Sequence, residues 1–170
     1  MVELPGNYLA GFIDGEGCFY IHFRKDIRHG RKNRPIYYYW DIGFAIVLRE
    51  DDLNLLKMIK NTLGFGYITV DKRGQARLQI TKITELRNKL VPFLKKYPLY
   101  GKKKYDFLLW RKALEILYRQ SIKKKSRRGV RLGKTTINWN KDDLIKLAEI
   151  QKSMRRYKSR TTGIGKWLEK

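Results

Sequence analysis

Two carboxylates, Asp14 and Glu16, stand on either side of Gly15 and just ahead of Gly17. The residues before them, Leu9, Phe12 and Ile13, repeat at the spacing of an apolar helical face. Pro5 suits a helix's first turn, and Gly6 or Asn7 could start one. Glycine reaches the positive φ values that end helices, so Gly15 and Gly17 are expected to stop this one. Asp14 and Glu16 then lie at its carboxyl end, among carbonyls that lack amide partners. The helix dipole opposes each acid there by roughly 0.3–1 kcal/mol. A hard divalent cation would relieve this, because it takes carboxylate and carbonyl oxygens together. A solvated turn rich in Asp and Gly fits the same residues equally well. Any metal must be held by oxygen. Cys18 is the one cysteine, and His22 and His29 are the two histidines, too few for a thiolate- or histidine-built site.

The elements that would position these acids follow from the pattern around them. Asn7, Gly11 and Gly15 are four apart and form a second, nearly bare stripe on the same helix. Such a stripe lets another backbone come close, as in small-residue helix packing. Cys18–Arg24 then alternates, with Phe19, Ile21 and Phe23 on one face and Tyr20, His22 and Arg24 on the other. Residues 26–35 read as a mobile basic loop carrying Arg28, Arg31, Lys32 and Arg34, suited to phosphate contact. Ile36–Leu48 is a second strand, with Trp40, Ile42, Phe44 and Ile46 inward and Tyr39, Asp41, Gly43 and Ala45 outward. The run Arg49-Glu50-Asp51-Asp52 opens a helix whose stripe is Leu53, Leu56, Ile59 and Leu63, ending at Gly64. Tyr67–Asp71 and Ala76–Lys82 form a hairpin around Arg73-Gly74. Thr84 begins another helix, disturbed at Pro92, and Lys102–Arg119 forms a longer one.

The order is α-β-β-α-β-β-α with a further helix, an α+β fold in which helices cover one face of an antiparallel four-stranded sheet. The other face carries Tyr20, His22, Arg24, Tyr39, Asp41, Thr69, Asp71, Arg77 and Gln79. That set mixes donors with acceptors. Arg pairs with guanine, Gln with adenine, and Asp accepts from cytosine in the major groove.

Charge supports a nucleic-acid partner. Among 170 residues, 39 Lys and Arg oppose 16 Asp and Glu, a net charge of +23. Such an excess repels itself without a polyanion. An anionic membrane surface is the rival partner. No run of about 18 apolar residues is present to span a bilayer. The first helix is short and glycine-rich, with Glu3 ahead of it, unlike a signal peptide. The expectation is an intracellular protein, in a prokaryotic cytoplasm or an organelle, without signal or transit peptide. Residues 1–119 form the core. Residues 120–170 form a basic extension of the same compact unit, with one helix whose stripe is Leu144, Leu147 and Ile150, capped by Asn140.

Leu9–Gly17 resembles the LAGLIDADG motif of homing endonucleases, with Phe12, Gly15 and Glu16 as variants. The resemblance continues in the family's order through Phe44-x-Ile46-x-x-Arg49-Glu50-Asp51-Asp52-Leu53, then Leu63-Gly64-x-Gly66-x-Ile68. It ends in Tyr97-Pro98-Leu99-x-Gly101-Lys102-Lys103-x-x-Asp106-Phe107. It thus covers residues ~7–118. The resemblance implies an intron-encoded enzyme that hydrolyses both strands of a long, near-palindromic DNA site with Mg2+ (Mn2+ substituting), leaving short 3′ overhangs. It implies Glu16 and the Gly15 carbonyl as metal ligands, and Asp14 as a structural acid. It also implies a basic residue near the scissile phosphate, and Lys103, among Lys102–Lys104, best fits the family's pattern. One motif per chain implies a homodimer meeting through Asn7, Gly11 and Gly15. Where some members carry a water-orienting glutamine, this chain has Leu48, which leaves Arg49 as the nearest polar candidate. No residue suited to intein splicing stands at Met1.

Three rivals share parts of this pattern. An RNA-binding intron maturase keeps the fold and basic surface, with intron RNA as partner. A DNA-binding regulator on a decayed nuclease fits Leu48. A ribosomal-type RNA binder needs neither the Gly11/Gly15 stripe nor the Asp14-x-Glu16 ending.

Overall fold

The computed structural model describes residues 3–27, 30, 36–125 and 140–154. Its order is α1 (Gly6–Glu16), β1 (Gly17–Ile27), β2 (Ile36–Arg49), α2 (Leu53–Leu63), β3 (Tyr67–Val70), β4 (Gln75–Ile80), α3 (Ile83–Glu85), α4 (Val91–Lys96), α5 (Lys103–Lys125) and α6 (Lys141–Met154). The strands form one antiparallel sheet in the order β1-β2-β4-β3. The expected α+β arrangement is the observed one.

The helices lie on the apolar face of the sheet. Leu9 and Ile13 of α1, Leu56 and Ile59 of α2, and Trp110 and Leu114 of α5 are fully buried with Phe44, Ile46, Leu78 and Ile80. Phe19 packs its ring 5.1–5.4 Å from those of Phe44, Phe107 and Trp110. Burying an aromatic or branched side chain of this kind contributes about 1.5–3 kcal/mol. Pro92 has no amide to donate, and the chain before it widens into a π-type turn over Leu86–Leu90. Gly64 ends α2 at φ 76, as its position after the apolar stripe foretold.

The end of α1 differs from the expectation. Pro5 is its N-cap and does not lie inside the first turn. Gly15 remains helical, and Gly17 is extended at φ −65, ψ 146, so no left-handed glycine stops the helix. Gly17 is there for space. A Cβ on it would lie 2.6 Å from the Ile13 carbonyl and 2.9 Å from the Phe44 ring. α1 therefore passes without a loop into β1, and Glu16 is held one residue from the sheet.

α6 docks on α5 and buries Leu144, Leu147, Ile150 and Met154. Asn140 caps it, accepting from the Asp142 amide at 3.1 Å. Its Gln151, 2% exposed, donates Nε2 to the Ile21 carbonyl of the edge strand β1 at 3.0 Å. Asp143 accepts from Gln120 at 3.2 Å. These contacts tie α6 to α5 and to β1.

Candidate nucleic-acid interface and hydrolytic site

Glu16 is the last residue of α1 and is exposed. Among the described residues its carboxylate has no hydrogen-bond or ion-pair partner, although the chain carries +23. Beside it, the Gly15 carbonyl accepts Lys103 Nζ at 2.7 Å. The ammonium lies at the negative end of the α1 dipole, where a cation is favoured.

Asp14 sets that geometry. Its Oδ2 accepts the amides of Tyr100 and Gly101, at 2.8 and 2.6 Å. These are charge-assisted bonds, the stronger kind. A Cβ at Gly101 would lie 2.9 Å from Asp14 Oδ1, so glycine lets the backbone approach. At the other end of α1, a Cβ at Gly6 would strike the Tyr97 ring. Residues 97–101 therefore form a strap along the whole of α1, with Leu99 buried beneath it. The strap ends where α5 begins, at Lys103. The structural role expected of Asp14 is the observed one. The strap itself was legible only as a motif, because nothing in its spacing names Gly6 as the partner of Tyr97.

The chemistry of the donors at the end of α1 fits a hard cation. They are a carboxylate and a carbonyl, and the carbonyl already accepts one cationic group. A carbonyl oxygen has a second lone pair. No group of three His, Cys, Asp or Glu gathers among the described residues, so the end of α1 offers one carboxylate and one carbonyl and no closed cage. The stripe beside them is open. Asn7, Gly11 and Gly15 are exposed, and Cβ atoms built at Gly11 and Gly15 meet nothing within 4 Å. Tyr8, half exposed, stacks on Phe12 with centroids 6.4 Å apart and adds apolar surface along this stripe.

The strand register fixes the polar face. Tyr20 lies opposite Gly43, His22 opposite Asp41, and Arg24 opposite Tyr39. Gln79 lies between Ala45 and Tyr67, and Arg77 between Val47 and Thr69. His22, Arg24, Thr69 and Arg77 are exposed there, as expected. Arg24 donates to Asp41 at 3.0 Å and lies 5.8 Å over the Tyr39 ring. The acceptor of Asp41 is thus shared with its own neighbour.

Two of the expected readers are engaged within the chain. Tyr20 is only 8% exposed, because its ring lies down over Gly43, where no side chain intervenes. Burial raises its phenol pKa, opposed by the hydrogen bond from Gln79. Asp71 lies beyond β3 in the turn. Its Oδ1 accepts the amides of Gln75 and Arg73 at 3.1 and 2.8 Å. These two bonds hold its carboxyl below the usual carboxylate range. Asp71 shapes the hairpin. In its place the face gains Tyr67, Val47 and Gln75, all exposed. Extending the alternation one residue further along each strand would have found them.

Arg49 is engaged at the end of β2. It pairs with Asp51 at 3.2 Å and lies opposite Gln75 at the end of β2. Leu48 packs against the core. β1 runs on to Ile27, into the expected basic loop. Arg28, Arg31, Lys32 and Arg34 lie outside the described residues, as do the cations of residues 126–139 and 155–170.

The pattern of the LAGLIDADG endonucleases matches residues 9–114. The chain belongs to that family. A probable intron-encoded endonuclease of Neurospora crassa is 31% identical over 121 residues, covering 71% of this chain and 22% of that protein. Another, the Cox1-I1b product of Schizosaccharomyces pombe, is 31% identical over 111 residues, covering 65% of this chain and 27% of that one. The chain thus spans about a quarter of the length of these relatives. The homing endonuclease I-TnaI has a similar structure, with a TM-score of 0.69 at 27% identity, covering 99% of this chain and 95% of that one. The meganuclease I-AabMI, solved bound to uncleaved DNA, gives 0.72 at 26% identity, covering 98% of this LAGLIDADG chain and 49% of that one. No described helix is long and apolar enough to cross a membrane.

Proposed function

We propose that this chain is a site-specific endonuclease that acts on double-stranded DNA as a homodimer and uses Mg2+, with Mn2+ as substitute. The observation that carries the reading is the convergence at the end of α1. An unpartnered Glu16 and the Gly15 carbonyl stand beside Lys103, at the foot of a helix whose stripe is bare. Glu16 and Gly15 would hold the ion, which when bound supplies an activated water and charge neutralisation for phosphodiester hydrolysis. Lys103, set by the Asp14 strap, adds positive charge for the scissile phosphate. Two copies pairing through Asn7, Gly11 and Gly15 would bring two Glu16 carboxylates together, one for each DNA strand. Arg49, engaged with Asp51, is assigned a phosphate contact.

The sheet serves as the reader. Each copy would cover about one helical turn, so a two-fold target of roughly 20 base pairs is expected, cut across the minor groove with short 3′ overhangs. Relatives named as intron-encoded endonucleases, and neighbours solved on DNA, support intron homing as the biological role. The test is cleavage of a randomised duplex library with and without Mg2+, reading the cut ends. Mg2+-dependent cuts at one long, near-palindromic sequence support the reading. Tight duplex binding without cutting points to the regulator, and preference for structured RNA without cutting points to the maturase.

A further inference from the structure

We infer that Tyr20 is a positioning residue that fixes the Gln79 side-chain amide so that it reads adenine at one base pair of each half-site. The inference rests on the sheet being the DNA reader. Tyr20 belongs to β1 and Gln79 to β4, with β2 between them. Across that gap β2 presents Gly43 and Ala45, the residues opposite Tyr20 and Gln79. They make a floor low enough for the Tyr20 ring to cross. A Cβ at Gly43 would strike that ring and its hydroxyl. His22 stacks on the ring from the side, with centroids 5.2 Å apart and planes 18° apart. The phenol is therefore held from below and from one flank, and its hydroxyl accepts Gln79 Nε2 at 2.7 Å.

The bond holds the amide in place, and in the observed arrangement it is Nε2 that faces Tyr20. A glutamine without a partner reads donors or acceptors by turning its amide over. Here one Nε2 proton is committed to Tyr20. Oε1 and the second Nε2 proton remain, and this acceptor–donor pair matches adenine N6 and N7. Guanine presents two acceptors in the major groove, so it takes one bond and sets its other acceptor against Oε1. Cytosine offers N4 to Oε1 alone and is second best. The buried phenol stays protonated through the neutral range, because burial raises its pKa, so the arrangement does not depend on pH there. Tyr67, 45% exposed and opposite Gln79, walls the other flank.

The test is a binding selection on randomised duplexes in Ca2+, comparing the wild type with Gln79→Ala and Tyr20→Phe. The wild type should prefer adenine by about tenfold at one position per half-site. Gln79→Ala should erase that preference. Tyr20→Phe keeps the ring but loses the acceptor, so it should flatten the same position to within about threefold and leave all others unchanged. Intact preference in Tyr20→Phe overturns the inference and leaves the endonuclease reading standing. A wild type with no base preference on duplex DNA overturns both. The bond is also readable without DNA, by nuclear magnetic resonance of the Gln79 amide. One slowly exchanging Nε2 proton in the wild type is expected, and two rapidly exchanging protons overturn the inference even if a variant fails to fold.

Discussion

On the polar face of the sheet, the functional side chains find their partners within one chain. Gln79 meets Tyr20, and Arg24 meets Asp41. At the end of α1 the opposite holds. Glu16 has no partner among the described residues, and Gly11 and Gly15 face open space. The first region is pre-organised, which spares a binding surface the cost of ordering its side chains. The second offers one carboxylate and one carbonyl, which do not complete the shell of a divalent ion. On the proposed function, recognition would rest on side chains ordered within each chain, whereas hydrolysis would need two chains together.

Substitutions at the two regions should therefore fail in different ways. The largest effect is expected from Glu16→Gln, which keeps the shape and removes the charge. Cleavage should fall by roughly a thousandfold while duplex affinity stays within about threefold. Equal loss of both, measured by single-turnover cleavage beside gel-shift titration, would move Glu16 from the chemistry to the binding surface. Gly11→Leu comes next. The added side chain should hold two α1 helices apart and weaken the dimer on the order of tenfold to a hundredfold. Sedimentation showing unchanged association would place the interface elsewhere.

Asp14→Ala tests the link between the regions. Losing two charge-assisted bonds to the strap should lower stability by about 2 kcal/mol in denaturant unfolding. It should also release Lys103 and slow cleavage about tenfold, with base preference untouched. The smallest effect belongs to Asp71. Its folded pKa is depressed, so its stabilisation is present above the usual carboxylate range and lost as pH falls through the folded value. Asp71→Asn should lower the melting temperature slightly at neutral pH, and the difference should vanish in acid. A difference that persists in acid would mean the hairpin does not depend on the charge.

Much of this was legible in the residues, and the boundary has a physical reason. Alternation in β1 and β2 gave the faces, because side chains along a strand point to opposite sides in turn. The motif gave Glu16, Gly15 and Lys103 together. Alternation is blind to what a side chain does once on its face. Tyr20 has the parity of a reader, yet it lies flat because the residue across from it is Gly43. Asp71 has the same parity, yet it lies past the end of β3, where the amides of Arg73 and Gln75 capture it. Both outcomes are set by neighbours on other strands or across a turn, which no pattern within one strand encodes. The helix-ending glycines failed for a related reason. Gly17 was read for its freedom in φ, whereas it is required by the nearness of Ile13 and Phe44.

The contact between Gln151 and the Ile21 carbonyl bears on how the protein behaves in a crowded cell. β1 is an outer strand of the sheet, and outer strands recruit the strands of other molecules. With a glutamine of α6 seated on its backbone, part of that margin is already taken. α6 thus blunts this edge of the sheet at Ile21 and leaves the polar face uncovered.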